Sequence, residues 1–379
     1  MPDVVRLIAC DRRYAGAACL ALLALLPASA FAWQTGGDVR AGYFASERSD
    51  RDGSQSSADE WQLRVRTSLQ TTPDDSHGFS ARLRAAGRFS SRQDGSVRFR
   101  LRAWSPGGEG LLPGEATFDE AWLQYRARRG DWRVRLGRFQ TDWKLDGVAG
   151  KSLDRNDSSS VSVNWTDGVH VTRAPVGGWQ AHLIVDYNDR RGGTTPRREP
   201  PLEFADRASR AGFYTVLANR DRLGPLVQRE VSVTWLPSTL PEGDPVADYM
   251  SLVARTSARW PVGETGMRFQ SGAEGGYAPS TPDDADGMRE RVAWQVSANV
   301  LDFRPRHSLG VVYGEAGAGW LVSPDFRPNN TLLEARYRWQ LAEAWRFEAR
   351  LRRRQDLERP SGEQRRVDDD LYVRLTWRY

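Results

Sequence analysis

Apolar and polar residues alternate with a period of two through most of this chain. Over residues 61–69 the odd positions Trp61, Leu63, Val65 and Leu69 are apolar, and the even positions Gln62, Arg64, Arg66 and Ser68 are polar. The same alternation runs through 79–89, 132–136, 292–300, 333–341, 345–351 and 371–379. Successive side chains of a strand point to opposite faces, so the pattern predicts a sheet with one apolar and one polar face. Helical 3.6-residue spacing is absent from these segments.

Sixteen strands are predicted. They lie near 38–46, 59–70, 78–90, 116–128, 132–140, 161–173, 179–188 and 211–219. The second half adds 228–236, 248–259, 266–277, 289–302, 308–316, 331–341, 345–354 and 369–379. Short gaps (129–131, 174–178, 342–344) alternate with long polar ones (91–115, 140–160, 189–210). Tight turns at one end and long loops at the other are the asymmetry of a transmembrane barrel; a soluble sandwich has no reason to alternate so. Aromatic placement agrees. Trp132, Trp179, Trp260, Trp339, Trp345 and Trp377 fall beside short turns, and Trp61, Phe89, Tyr187, Trp235 and Tyr277 at the opposite ends, as two interfacial girdles would. Strand six is the exception, because Asp167 shares the parity of Val169 and Val171 and would face lipid. That placement costs about 2–4 kcal/mol, so a bulge or a later start is expected there.

Composition then removes alternatives. Mean hydropathy is −0.61, and no stretch beyond the N-terminus reaches the ~18 apolar residues of a membrane helix, which excludes a polytopic helical protein. Arg6, Arg12 and Arg13 precede an apolar run over 15–26, and Ala30-Phe31-Ala32 is a small-x-small site. Residues 1–32 therefore read as a cleaved secretory signal peptide and 33–379 as the barrel. Cys10 and Cys19 both lie in that leader, so disulfides, thiol catalysis and cysteine metal sites are excluded after processing. The net charge of +5 is too small and too dispersed to point to a nucleic-acid partner.

The C-terminal run Leu371-Tyr372-Val373-Arg374-Leu375-Thr376-Trp377-Arg378-Tyr379 resembles the last strand of bacterial outer-membrane proteins. In that family the alternating apolar residues and terminal aromatic are read by the barrel-assembly machinery; Phe is usual at the end, and Tyr379 is a variant. With leader and strand count, the chain is similar to outer-membrane porins over 33–379. Within that group, Leu136-Gly137-Arg138-Phe139-Gln140 and Thr166-Asp167-Gly168-Val169-His170-Val171 resemble segments of alginate-export-type and related substrate channels, although Phe139 interrupts the Arg-Gln pair. The resemblance implies an all-β transmembrane antiparallel barrel of about 16 strands (14–18) with short periplasmic turns and long extracellular loops. It also implies a place in the Gram-negative outer membrane, contact with lipid and lipopolysaccharide, and either a monomer or a homotrimer.

If apolar positions face lipid, their polar neighbours face the lumen. Pore-lining positions are then Arg64, Arg66, Arg82, Arg84, Arg133, Arg135, Arg336, Arg338, Arg350, Arg352 and Arg374. Arg40, Arg88, Arg126, Arg128, Arg255, Arg259, Arg268, Arg346 and Arg378 share their parity, against the acids Asp38, Glu120, Asp186, Glu230, Glu274, Glu334 and Glu348. The excess is roughly +13, which leaves acidic loops. Guanidinium groups stay charged and grip carboxylate or phosphate in bidentate fashion, so the wall predicts a passive channel preferring small anionic hydrophilic solutes. Arginine used merely as a generic polar residue remains the open alternative. The 140–160 connection carries both lysines of the chain, and Lys144, Asp146, Lys151, Asp154 and Arg155 are its candidate constriction residues.

His170 and His182 fall opposite each other if their hairpin is centred on Val176. No third ligand stands near, so no metal, cofactor or catalytic residue is assigned. No nucleophile elbow, phosphate loop or H-E-x-x-H occurs, and the chain is read as no enzyme. A substrate-specific channel for an acidic polysaccharide or oligosaccharide is the main rival reading. A barrel-type hydrolase and a structural barrel with an occluded lumen follow.

Overall fold

Sixteen strands, each antiparallel to its neighbours, close edge to edge into a cylinder. The computed structural model describes residues 31–73, 78–91, 98–99, 115–156, 165–187, 211–237, 248–281, 288–359 and 361–379; the leader (1–30), His77 and Asp157 lie outside them. The strands are β1 (Phe31–Ser49), β2 (Gln55–Pro73), β3 (Gly78–Ser90), β4 (Glu115–Arg126), β5 (Trp132–Phe139), β6 (Thr166–Val176), β7 (Trp179–Tyr187) and β8 (Ala211–Asn219). They continue as β9 (Leu226–Leu236), β10 (Tyr249–Pro261), β11 (Arg268–Ser280), β12 (Val292–Arg304), β13 (His307–Ala316), β14 (Asn330–Gln340), β15 (Trp345–Asp356) and β16 (Val367–Arg378). Each pairs with the next, and β1 pairs with both β2 and β16, so the sheet has no free long edge. A two-residue stretch, Arg98–Phe99, lies parallel to the start of β4.

Alternation becomes radial position. On β16, Leu371, Leu375 and Trp377 are exposed on the outside, while Asp370, Tyr372, Arg374 and Thr376 are buried inside. The outer surface is apolar, with rings stacking across strands: Trp345 on Trp377, Trp260 on Phe269 and Phe213 on Trp235. His307, just outside the predicted strand 308–316, opens β13 and stacks on Trp339 within that girdle. The seam closes on the terminal residue, where the Gly37 amide donates to the Tyr379 carbonyl at 3.0 Å.

Three local features depart from strict alternation. In β4, Arg84 pairs with Glu120 and Ala85 with Phe118, so Asp119 is the extra residue of a bulge. Both Asp119 and Glu120 consequently turn inward, whereas alternation alone would put Asp119 in lipid. β6 begins only at Thr166. There Asp167 is neutralised by Arg138, through Nε at 2.8 Å and Nη2 at 3.2 Å, and receives Trp165 Nε1 at 3.0 Å. Finally, β6 and β7 turn through Gly177 and Gly178, with φ of 58° and 81°, the left-handed pair of a two-residue hairpin. A register shift after Trp179 sets His182 against Thr172 and His170 against Ile184. The two histidines are diagonal neighbours, not the directly opposed pair that a turn centred on Val176 would give.

The inside of the barrel is partly filled by its own connections. Residues 317–329 fold inward, and Trp320, Leu321, Val322 and Phe326 form an apolar core with Ala149 and Leu153 of the 140–156 connection and with the inner face of β10–β14. Several inner positions there are apolar (Val253, Ala278, Val312, Leu332) beside polar ones such as Arg255, Glu274 and Asn299, so the polar-inside rule is only partly kept under the connections. Glycines on β11 make the room: a Cβ on Gly272 would stand 2.9 Å from Leu145 Cδ1, and one on Gly276 would run into the Trp320 ring. Trp320→Ala is expected to destabilise this packing by about 3–5 kcal/mol. Limited proteolysis within 317–329 checks it; wild-type resistance would refute the core.

Candidate functional site: the lumen

The 140–156 connection is held along half of the inner wall. Its ends meet in two short antiparallel pieces, Asp142–Trp143 and Arg155–Asn156. Between them the chain runs past successive strands. The Asp146 amide donates to Gln228 Oε1 on β9 at 2.8 Å, and the Val148 amide to Asn299 Oδ1 on β12 at 2.8 Å. The Leu153 amide reaches Glu274 on β11, and Arg338 Nη2 on β14 reaches the Val148 carbonyl. The inward connection is laced to 317–329 as well, by Trp320 Nε1 to the Leu153 carbonyl (2.8 Å) and Ser323 Oγ to the Ser152 carbonyl (2.6 Å).

Charge fastens it. Asp154 is fully buried and receives Arg255 Nη2 (2.5 Å), Tyr214 Oη (2.8 Å), Ser232 Oγ (2.5 Å) and Ser152 Oγ (2.9 Å). Burial alone would raise its pKa; Arg255 and the hydroxyl donors hold it below the usual aspartate range. Arg255 also meets Glu230 (3.2 Å) and Glu274 (2.9 Å). Lys151 lies between Glu334 (2.8 Å) and Asp325 (3.2 Å), and burial pulls its ammonium below the usual lysine range against those two carboxylates. Arg155 donates to Asp186 (2.5 Å) and Thr166 (2.7 Å). Of the five residues expected at the constriction, Lys151, Asp154 and Arg155 are buried anchors. Lys144, paired with Asp142, and Asp146, paired with Arg220, are partly exposed.

The inward connections pack against β7–β14; the arginine wall lies on β14 and on the strands beyond it, β15, β16, β2, β3 and β5. All eleven arginines expected on the pore wall point inward from these strands, and nine are ion-paired. Arg64 binds Asp38 (2.8 Å), and Arg66 and Arg84 bind Asp119 (both 2.7 Å). Arg82 binds Glu120 (2.6 Å) and Arg336 binds Glu334 (2.6 Å). Arg350 and Arg352 share Asp370 (both 2.6 Å), while Arg374 (2.6 Å) and Arg338 (3.6 Å) share Glu348. Arg133 and Arg135 differ. Among the described residues no carboxylate stands within ion-pair distance of either; Arg135 donates to the neutral Gln124 at 2.9 Å and lies 4.4 Å above the Trp122 ring.

The wall is therefore less basic than roughly +13. Glu60, Asp119, Asp368 and Asp370 also point inward, and two expected members do not belong: Arg128 lies in the exposed turn after β4, and Arg268 pairs with Asp302 at the turn end of β11. Even so, like charges face each other directly at Arg40–Arg64, Arg64–Arg88, Arg126–Arg133 and Arg336–Arg350. Such pairs destabilise a sheet, so fold stability does not account for them. Asp119, Tyr214, Ser232 and Asp325 escaped the sequence reading. The adjacent acids Asp119-Glu120 in an otherwise alternating strand were the available signal for the first of them.

No protein-family model matches the chain, and no curated sequence relative is found. Solved structures do match over nearly the full length. The anion-selective porin from Comamonas acidovorans superposes with a TM-score of 0.56 at 10% identity, over 92% of this chain and 100% of that one. Pseudomonas putida OprB gives 0.56 at 10% identity over 96% and 97% of the two chains, and Pseudomonas aeruginosa OprD gives 0.52 at 9% over 91% and 95%. The fold is that of a 16-stranded porin. At these identities the likeness lies in the architecture of the porin barrel, and the luminal residues are this chain's own. Among the described residues no group of three or more His, Cys, Asp or Glu could hold a metal ion.

Proposed function

We propose that the chain is an outer-membrane porin, a passive channel preferring small hydrophilic anions, and not an enzyme. One observation carries this reading: the inner wall of β2, β3, β5 and β14–β16 is lined with arginine, and Arg133 and Arg135 in it are partly exposed and lack a carboxylate partner among the described residues. Guanidinium charge left over after pairing concentrates anions and repels cations in a narrow aqueous passage. The structural neighbours, one of them an anion-selective porin, support the same reading.

In this reading residues 1–32 direct export and are removed, and the exposed outer belt contacts lipid and lipopolysaccharide. The C-terminal strand through Tyr379 is the segment the assembly machinery receives. The inward 140–156 connection forms the constriction. Lys144 and Asp146 are its partly exposed charges, and Lys151, Asp154 and Arg155 keep it in place. A channel for an acidic polysaccharide is the second reading, favoured by the inward succession Arg350, Arg352 and Arg354 at every second residue of β15, a spacing of about 6.8 Å.

Reversal potential in a salt gradient across a planar bilayer tests the proposal. The refolded protein is expected to show the anion-selective sign, most strongly at low salt because screening weakens at long Debye lengths. Cation selectivity would overturn the anion preference, and absence of conductance would overturn the channel. Saturable block by oligomeric uronates would move the reading to the polysaccharide channel.

A further inference from the structure

We infer that His170, His182 and Thr172 form a binding site for a borderline divalent cation of the zinc class on the inner wall at β6–β7. His170 Nε2 and His182 Nδ1 are 3.1 Å apart, and Thr172 Oγ1 lies 3.3 Å from the first and 3.4 Å from the second. Three donor atoms thus form a nearly equilateral triangle. At zinc–nitrogen distances of about 2.0–2.1 Å the edge of a coordination tetrahedron is about 3.3 Å, and an ion bridging the two nitrogens subtends roughly 100°. The triangle has the size of one tetrahedral face, with the fourth position left for water or a carboxylate.

The outer contacts set the donors correctly. His182 Nε2 lies 3.0 Å from Gln180 Oε1, an acceptor, so that nitrogen carries the proton and Nδ1 presents its lone pair to His170. Without metal, the His170 Nε2–H donates to that lone pair. On binding, His170 moves this proton to its own Nδ1, both inner nitrogens become ligands, and no net proton is released. Trp143 stands edge-on to His182, with centroids 4.6 Å apart, and the Phe139 and His170 ring centroids are 5.8 Å apart, restricting both imidazoles. On β5, Arg135 faces His170 and Arg133 faces Thr172. These guanidinium groups weaken binding of a bare dication and favour an anion in the fourth position. The hairpin register shapes the site: with the histidines directly opposed, Thr172 would keep its face but lie opposite Gln180, whereas here it lies opposite His182.

The site stands on the barrel geometry and does not require that the protein conduct. The test is calorimetric titration of the refolded full-length chain in detergent with zinc chloride, with X-ray absorption at the zinc edge on the wild-type complex. One site per chain is expected, with imidazole scattering from two histidines. His170→Ala and His182→Ala should abolish it. Gln180→Ala, which leaves every ligand in place, should weaken it about tenfold, the loss typical of a missing outer contact. Unchanged affinity in His182→Ala, absence of binding at millimolar zinc, or a zinc shell without imidazole scattering would overturn the inference. The last measurement needs no variant and so holds even where a substitution prevents refolding.

Discussion

Arg133→Glu/Arg135→Glu is expected to lower the anion-to-cation permeability ratio at least about tenfold, seen as a shift of the reversal potential toward the cation-selective sign. A unit charge about 4 Å from a guanidinium in water interacts by about 1 kcal/mol, and each reversal doubles the change. Two reversals alter the balance by about 4 kcal/mol before screening, which at ~0.1 M salt acts over about 10 Å. A tenfold ratio needs only about 1.4 kcal/mol of that difference. These two positions are the informative ones because, among the described residues, their removal strands no carboxylate; Arg135 gives up only its contacts to the neutral Gln124 and to aromatic rings. Replacing Arg82 or Arg84 would leave Glu120 or Asp119 short of a counter-ion and mix selectivity with stability. Arg353 supplies the control: it points outward and pairs with Asp369 at 3.6 Å, so Arg353→Gln should leave the reversal potential unchanged. An unchanged potential in the double variant would show that the paired arginines, or the loops, set selectivity.

Arg255→Met is expected to raise single-channel conductance. Arg255 is almost wholly buried and is the shared counter-ion of Asp154, Glu230 and Glu274, themselves buried. Removing one member of such a group costs about 3–5 kcal/mol, because carboxylates remain in the interior without their cation. The least costly relief is for Asp154, the only one of the three on a connection, to leave the wall and take 140–156 with it. Deleting residues 144–154 should have the same effect on conductance without the charge imbalance. Wild-type conductance in both variants would show that the inward connection does not limit the passage. A rise in the deletion alone would show that Lys151 and the 317–329 contacts hold the loop without Arg255.

Much of the architecture is legible in the amino-acid order alone. The alternation of Trp61-Gln62-Leu63-Arg64-Val65-Arg66 states which residues face lipid and which face the lumen, since side-chain direction in a strand has a period of two. All eleven wall arginines point inward as it requires, and the strand boundaries agree within a few residues except at the starts of β1, which begins at Phe31 and not near 38, and of β6. Departures occurred where a local event breaks the count. The Asp119 bulge adds one residue and swings a carboxylate inward. The turn at Gly177-Gly178 and the one-residue shift after Trp179 together set His182 opposite Thr172, two positions from the expected pairing with His170, and leave both histidines on one face.

What the sequence by itself determined is therefore the barrel: strand number, inner and outer faces, turn and loop ends, and the arginine character of the wall. These follow from short-range periodicity, which the chain carries in every strand. The tertiary structure alone decided how that wall is used. It paired nine of the eleven arginines, left Arg133 and Arg135 without a carboxylate among the described residues, and folded 140–156 and 317–329 against one half of the inner wall. It also brought Thr172 beside two histidines. Each of these joins residues far apart in sequence or depends on register, and neither leaves a periodic trace in the amino-acid order.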